Sequence, residues 1–263
     1  MEVEGFNGSV EITGWDREEV EVSGTKYASS EDRLKEIKVD VAGGGDSLRI
    51  VTTRPANRRG GAGVKFILRV PRKVTLERIS SSNGPMRVEG IEGSARLKTS
   101  NGSLRLAALT GDVDATTSNG GIEATQLKGN AVFSTSNGGV RAEVSGYVEA
   151  NTSNGPIRVR LMEPGSSRPL RFTTSNGPVE LTLEKLKGND IRAESSNGPI
   201  VVRMPASAEA QVRAHTSNSS VTSEFDVKLR GNQSKHSLEG NIGSGGPLLD
   251  LSTSNGSIKL LKL

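Results

Sequence analysis

The sequence predicts an all-β protein, a single-chain parallel β-solenoid with about 18 to 22 residues and two short strands in each coil. Two observations predict it: a Ser-Asn-Gly turn recurs along the chain, and apolar residues occupy the same positions in every unit. Repeats that cannot bury their apolar face alone become stable when they stack. We expect right-handed coils, because parallel crossover connections are almost always right-handed.

The turn asparagines define the repeat, with successive spacings of 18, 18, 18, 17, 22, 21, 21 and 37 residues. The nine members are Asn83, Asn101, Asn119, Asn137, Asn154, Asn176, Asn197, Asn218 and Asn255. A weaker tenth copy is Asn7, and we interpret the last interval as two coils, one without its signature. Asn and Gly both tolerate left-handed backbone angles, which suits a tight turn. Stacked asparagines are expected to form a structural ladder of hydrogen bonds.

Each unit contains two alternating segments. The third and fifth residues after Asn are mostly apolar and the fourth is mostly charged, as in Leu104, Arg105 and Leu106. A second alternation follows a mid-unit glycine such as Gly111. This period of two indicates strands with one buried face. Antiparallel hairpins are the alternative, because Asn-Gly is a strong hairpin signal, but identical apolar columns favour stacked coils.

One continuous domain is predicted, with two regions. Residues 1–79 are irregular β coils that start and cap the stack, and residues 80–263 are the regular Ser-Asn-Gly solenoid. In the first region, strands are expected at 9–13, 19–23, 48–52 and 65–70. A helix of one or two turns is expected after Ser29 or Ser30, either of which can act as its N-cap. Loops are expected at 54–63 and 163–167.

Three short segments flank or belong to the array: Gly-Ser-Val-Glu-Ile-Thr-Gly-Trp at 8–15, Val70-Pro71, and the glycine-rich close at 236–247. With the Thr-Ser-Asn-Gly array, they resemble the bacterial adhesin-like proteins with β-strand repeats, a head-GIN-related domain family of unknown function. The resemblance covers nearly the whole chain and implies an exported protein of the periplasm or cell surface. It supplies no catalytic residues. Residues 1–4 contain no charged-then-apolar secretory leader, so a cytoplasmic location is the alternative.

Composition narrows the chemistry. The chain has no Cys and two His, so we predict no disulfide, no metal site and no cofactor. Solenoid polysaccharide lyases and hydrolases need paired carboxylates on adjacent coils. Asp112 and Asp114 flank Val113, but the equivalent positions on neighbouring coils carry no acid. We therefore expect a protein that is not an enzyme, and a polysaccharide-active enzyme is the weakest alternative.

The fourth residue after Asn forms a surface column that includes Arg87, Arg105, Arg141 and Arg158, here called the arginine column. Stacking would space these cations about 4.8 Å apart, which suits a linear polyanion such as an acidic polysaccharide or lipopolysaccharide. Glu123 and Glu180 fall in the same column, and cross-strand ion pairs are the structural alternative. Nucleic acid is not expected as a partner, because aromatic residues do not interleave with the basic ones.

The preferred function is a non-enzymatic cell-surface or envelope solenoid, adhesin-like or scaffolding, and polyanion binding is the alternative. A cell-surface polysaccharide or another protein would be its partner. Self-association through the C-terminal coil is a further hypothesis, because the chain finishes with the apolar residues Leu260, Leu261 and Leu263.

Overall fold

A computed structural model describes residues 1–56, 61–165, 168–230 and 234–263. The loops expected at 54–63 and 163–167 fall partly outside these ranges. Nearly all described elements are strands, which form a 14-stranded and a 12-stranded sheet. Each coil contributes one strand to each sheet, and apolar side chains fill the space between the sheets. The fold is a parallel β-solenoid.

The first region contains six strands and the one described helix. They are β1 (Glu2–Glu4), β2 (Val10–Trp15), β3 (Glu21–Ala28), α1 (Glu31–Glu36), β4 (Lys38–Gly44), β5 (Ser47–Thr53) and β6 (Ala62–Pro71). Ser30 is the N-cap of α1, and its hydroxyl accepts a hydrogen bond from the Arg33 amide. The expected strands and helix are therefore present, whereas β1 and β4 were missed.

The repeat region alternates between the two sheets. Its strands are β7 (Leu76–Ser81), β8 (Met86–Glu89), β9 (Ala95–Thr99), β10 (Leu104–Ala107), β11 (Val113–Thr116), β12 (Ile122–Lys128), β13 (Ala131–Ser134), β14 (Val140–Ser145), β15 (Val148–Asn151), β16 (Ile157–Glu163), β17 (Leu170–Thr174), β18 (Val179–Leu183), β19 (Ile191–Ser195) and β20 (Ile200–Met204). The last six are β21 (Ala210–Thr216), β22 (Val221–Ser223), β23 (Val227–Leu229), β24 (Ser237–Ile242), β25 (Leu248–Thr253) and β26 (Ile258–Lys262).

Register decides between stacked coils and hairpins. Leu104 of β10 pairs with Met86 of β8 and Ile122 of β12, and both pairings are parallel. The 14-stranded sheet behaves in the same way, since Ala115 of β11 pairs in parallel with Leu97 and Phe133. The apolar columns inferred from the sequence are thus real, and the hairpin alternative is wrong for the repeat. Antiparallel pairs join β3 to β6, β4 to β5, and β24 to β21 and β23, all at the two ends of the stack.

The order of coils in space differs from their order in the chain. The coil of β1 and β2 lies between the coil of β5 and β6 and that of β7 and β8. At the other end, the coil of β25 and β26 lies between that of β19 and β20 and that of β21 and β22. Both chain termini therefore lie inside the stack, and antiparallel strands form three of the four sheet edges, the exception being β22.

This arrangement corrects two interpretations of the C-terminal sequence. The 37-residue interval contains β23 and β24, an antiparallel pair, instead of a coil without its signature. The apolar finish is not an end face, because β26 pairs with β20 on one side and β22 on the other; Leu260 is fully buried, whereas Leu263 is exposed. The C-terminal coil thus offers no free end, which removes the observation on which self-association through it was based.

Two kinds of turn connect the sheets. The asparagine edge consists of the turns that contain the ten asparagines and lead from the 14-stranded to the 12-stranded sheet. The opposite edge consists of the return turns, such as 108–112 and 146–147. Among the described residues, the only non-glycine residues with positive φ are Ala108, in the return turn after β10, and Gln126, in a β-bulge near the end of β12. The turn asparagines are therefore not left-handed, which corrects the reason given for them.

Close stacking explains the glycine of the Asn-Gly pair. A Cβ atom placed on Gly102 would lie 1.8 Å from the Gly84 carbonyl oxygen, and one on Gly120 would lie 1.9 Å from the Gly102 oxygen. No side chain fits at this separation, so these coils need glycine where the backbone meets the coil before; the turn of Asn218, at the end of the ladder, has Ser219 instead. Among the described residues, no helix is long and apolar enough to cross a membrane.

Candidate functional site

The arginine column lies on the outer face of the 12-stranded sheet. Strand register places Arg105 between Arg87 and Glu123, and Arg158 between Arg141 and Glu180. Glu123 in turn pairs with Arg141, so the column consists of two arginine pairs separated by one glutamate. The four arginines share one face, but they do not form an unbroken file of positive charge.

Three of the four arginines form ion pairs with glutamates. Arg105 Nε lies 3.7 Å from Glu123 Oε2, and Arg158 Nε lies 3.1 Å from Glu180 Oε1. Arg87 contacts Glu89 of its own strand at 2.9 Å. These side chains are solvent-exposed, so each pair contributes at most about 1 kcal/mol. Arg141 is exposed and makes no hydrogen bond or ion pair within the described ranges.

Two shallow depressions adjoin Arg141. One, of about 360 Å³, is lined by four arginines and three glutamates, so its charges nearly cancel. These residues are Arg141, Arg158, Arg160, Arg203, Glu123, Glu143 and Glu180. The other depression, of about 370 Å³, lies beside the asparagine edge and includes Gly121 and Gly139. We call the second one the glycine notch. The sequence analysis did not predict the glycine notch, because it lies where two coils have glycine and therefore no side chain.

The asparagines form a continuous ladder along their edge. In every step the Nδ2 of one Asn donates to the Oδ1 of its neighbour at 2.5–2.8 Å. The order in space is Asn7, Asn83, Asn101, Asn119, Asn137, Asn154, Asn176, Asn197, Asn255 and Asn218. Asn255 thus precedes Asn218 because its coil is inserted between two earlier ones.

A second ladder lies just inside the asparagines. The hydroxyl two positions before each Asn, except Asn7, is buried and donates to a glycine carbonyl of the neighbouring coil, as Thr117 Oγ1 does to Gly102 O at 2.9 Å. Thr135 and Thr216 repeat this contact at 2.8 Å. Since a buried carbonyl without a partner is costly, these threonines stabilise the turn. The polar residues of this edge thus mainly hold coils together.

Carboxylates and histidines elsewhere make ordinary surface contacts. Asp112 Oδ1 accepts a hydrogen bond from Asn130 Nδ2 at 3.0 Å, and Asp114 pairs with Arg96 at 3.7 Å. His236 Nδ1 lies 2.6 Å from the Ser219 carbonyl oxygen. No group of three potential metal ligands occurs among the residues that the structure describes.

One cluster on the 14-stranded sheet was not anticipated. The Arg168 guanidinium lies 4.4 Å from the centre of the Tyr147 ring, and the Tyr147 hydroxyl donates to Glu149 Oε2 at 2.9 Å. Burial, followed by the hydrogen bond and the charge of Glu149, raises the pKa of Tyr147. The ring is covered, with only 4% of the residue exposed, so it gives no open face for stacking a sugar. Arg168 lies two residues before β17, and no repeat pattern encodes its position relative to Tyr147.

The comparisons with known proteins concern the whole chain. A family model described as Toastrack DUF4097 matches residues 1–261. Among curated proteins, none matches the chain. One match among solved structures is a "putative cell adhesion protein" from Clostridium sporogenes ATCC 15579. The two share 10% identity, the match covers 100% of this chain and 91% of that chain, and the TM-score is 0.29. A likeness this low carries no argument about function.

Proposed function

Because this chain belongs to the family described as Toastrack DUF4097, we propose that it is a non-enzymatic solenoid of the bacterial cell envelope or surface, with an adhesin-like or scaffolding role. The observation that carries the proposal is that its polar residues contact one another between coils. The asparagines and threonines of the asparagine edge bond coil to coil, and most column arginines pair with glutamates. A stack built in this way is a stiff support for its outer faces.

Envelope association is tested with the full-length gene product. Cell fractionation should place it with the periplasm or surface, and the purified chain, immobilised on beads, should retain a component of an envelope extract. It should not turn over glycan substrates. Glycan turnover by the unmodified chain that is lost in each of the single variants Asp112→Asn and Asp114→Asn would contradict the non-enzymatic proposal. Recovery only from the cytosol, with nothing retained from the extract, would contradict the envelope role.

Polyanion binding through the arginine column is the second candidate. The observation that favours it is Arg141, a cation without an ion pair in the described part of the chain, next to Arg158 on the same face. Clustered cations on one face raise the local concentration of a polyanion, and salt screens this attraction.

The test replaces Arg87, Arg105, Arg141 and Arg158 together by Ser. Retention on heparin should fall, so that the variant elutes at clearly lower salt. A matched control removes four arginines from the 14-stranded sheet: Arg96, Arg171, Arg192 and Arg213, which face outward in a corresponding column. Equal loss in both variants would show that net charge alone governs retention, and the column proposal would then be wrong.

A further inference from the structure

We propose that the glycine notch is a binding site for one carboxylate-bearing sugar unit, a uronate of an acidic polysaccharide. The proposal rests on the second candidate function and assigns it a defined subsite. Its starting point is a local break in the repeat. The second residue after each Asn is Ser or Pro in most coils, but it is Gly121 and Gly139 in two adjacent ones.

The missing side chains leave a bounded concavity instead of a flat surface. Ser103 and Pro156 hold the equivalent positions in the flanking coils and line its two ends. Gly139 packs closely against Pro156, since a Cβ placed on Gly139 would lie 3.0 Å from the proline ring. Leu104, Ile122 and Val140 belong to the same lining. The volume, about 370 Å³, is at the small end for ligand sites and suits one or two sugar rings.

The rim supplies charge of both signs. Arg105, Arg141 and Arg158 line the notch together with Glu123. Glu123 pairs with Arg105 and Arg158 pairs with Glu180, which leaves Arg141 as the rim arginine without an ion pair in the described structure. An arginine in this state is available for a charge-assisted hydrogen bond to a carboxylate.

The rim also discriminates among anions. A carboxylate can pair with Arg141 while a ring hydroxyl donates to Glu123, and the C–H face of the sugar lies against Pro156. A phosphate carries more charge and offers no apolar face, so it gains less from Pro156 and is opposed more strongly by Glu123. These features favour a uronate over inorganic phosphate, although both would contact Arg141.

The experiment uses calorimetric titration of the intact chain with trigalacturonate at low ionic strength. Its methyl ester tests the carboxylate, and inorganic phosphate tests the anion class. Gly121→Ser fills the notch with the residue that Ser103 already places in this column. A Cβ on Gly121 has its nearest contact at 3.4 Å and its φ is not left-handed, so this variant should fold normally. Arg141→Gln removes the free cation, and Arg192→Gln, on the other sheet, is the matched control.

We expect trigalacturonate to bind the unmodified chain and to bind each of Gly121→Ser and Arg141→Gln at least tenfold more weakly. Arg192→Gln should change the affinity less than twofold, and the methyl ester and phosphate should bind at least tenfold more weakly than the acid. Unchanged binding in Gly121→Ser, or phosphate binding as tight as the trisaccharide, would overturn the proposal. If Gly121→Ser keeps its affinity while the fourfold arginine variant loses heparin, the notch is excluded and the polyanion candidate stands.

Discussion

The asparagine edge repeats one turn through ten coils, whereas the opposite edge changes from coil to coil. On the first edge no charged residue occurs in the five positions centred on any of the ten asparagines. The opposite edge, together with the strand ends that lead into it, contains charged residues such as Lys128 and Glu163, the two left-handed non-glycine residues, and the additional residues between β16 and β17. Both edges close the same coils. The difference teaches that one strictly stacked edge is enough to set the register, and the other is then free to vary.

The largest effect on stability is expected from a substitution that disrupts the asparagine edge. Gly102→Ala places a methyl group 1.8 Å from the Gly84 carbonyl oxygen, so the coils must separate. We expect the free energy of unfolding to fall by about 3 kcal/mol or more, at the upper end for overpacking. Urea unfolding followed by circular dichroism measures it. Gly121→Ala is the control, since its methyl group would approach Gly139 O only to 3.4 Å. Equal stability of the two variants would show that coil spacing is not set here.

The asparagine ladder provides the next effect. Asn137 donates to Asn119 and accepts from Asn154, whereas Asn218, at the end of the ladder, donates to Asn255 alone. Asn137→Ala should therefore cost about 1–2 kcal/mol, and Asn218→Ala about half of that, at a net 0.5–1.5 kcal/mol per hydrogen bond. Thermal and urea unfolding of both variants measure the ratio. A greater loss at Asn218 would mean that interior rungs compensate for one another and that the ladder is not a sum of its bonds.

The same contrast explains what the sequence could predict. The repeat, its apolar columns and the asparagine ladder could be predicted from the regular spacing of the residues. Each coil buries its apolar side chains against the same positions of the neighbouring coils. The insertion of the last coil is not encoded in this way, since the Asn255 turn resembles every other turn and could follow Asn197 or Asn218 equally well. The arginine column could be predicted from the sequence, but its ion pairs could not, because they depend on side-chain rotamers. The glycine notch arises from side chains that are absent, and the contact of Arg168 with Tyr147 involves a residue outside the repeated positions.

Close to the opposite edge, in the bulge of β12, a substitution should stabilise the protein. Gln126 has φ of 55° and Ala108 has φ of 52°, at the position where the preceding coil has Gly90 with φ of 70°. A left-handed residue with a Cβ costs about 1–2 kcal/mol, which Gly avoids, although Gly loses more entropy on folding. Gln126→Gly should thus raise the free energy of unfolding by about 0.5–1 kcal/mol. The control is Gln211→Gly, in the strand β21, which should lower it. Destabilisation by both variants would show that the corner is not strained.

The smallest effect is expected from charge on the opposite edge. The hydrogen bond from Lys187, followed by the positive charges of Lys185 and Lys187, lowers the pKa of Glu163. A lowered pKa in the folded state means that this carboxylate stabilises the fold above its ordinary pKa, about 4.3, and that the contribution disappears as the pH falls through the folded-state value. Glu163→Gln should therefore be slightly less stable than the unmodified chain at pH 7, and the gap should shrink as the pH falls through the lowered folded-state pKa of Glu163.

Urea unfolding at pH 7, 5 and 3 measures this gap. Glu18→Gln is the control, because Glu18 is exposed and makes no ion pair among the described residues. Its unfolding free energy should follow that of the unmodified chain at each pH. A gap for Glu163→Gln that did not shrink between pH 7 and pH 3 would mean that the side chain acts through packing, and the opposite edge would then be less independent of its neighbours than its changing length indicates.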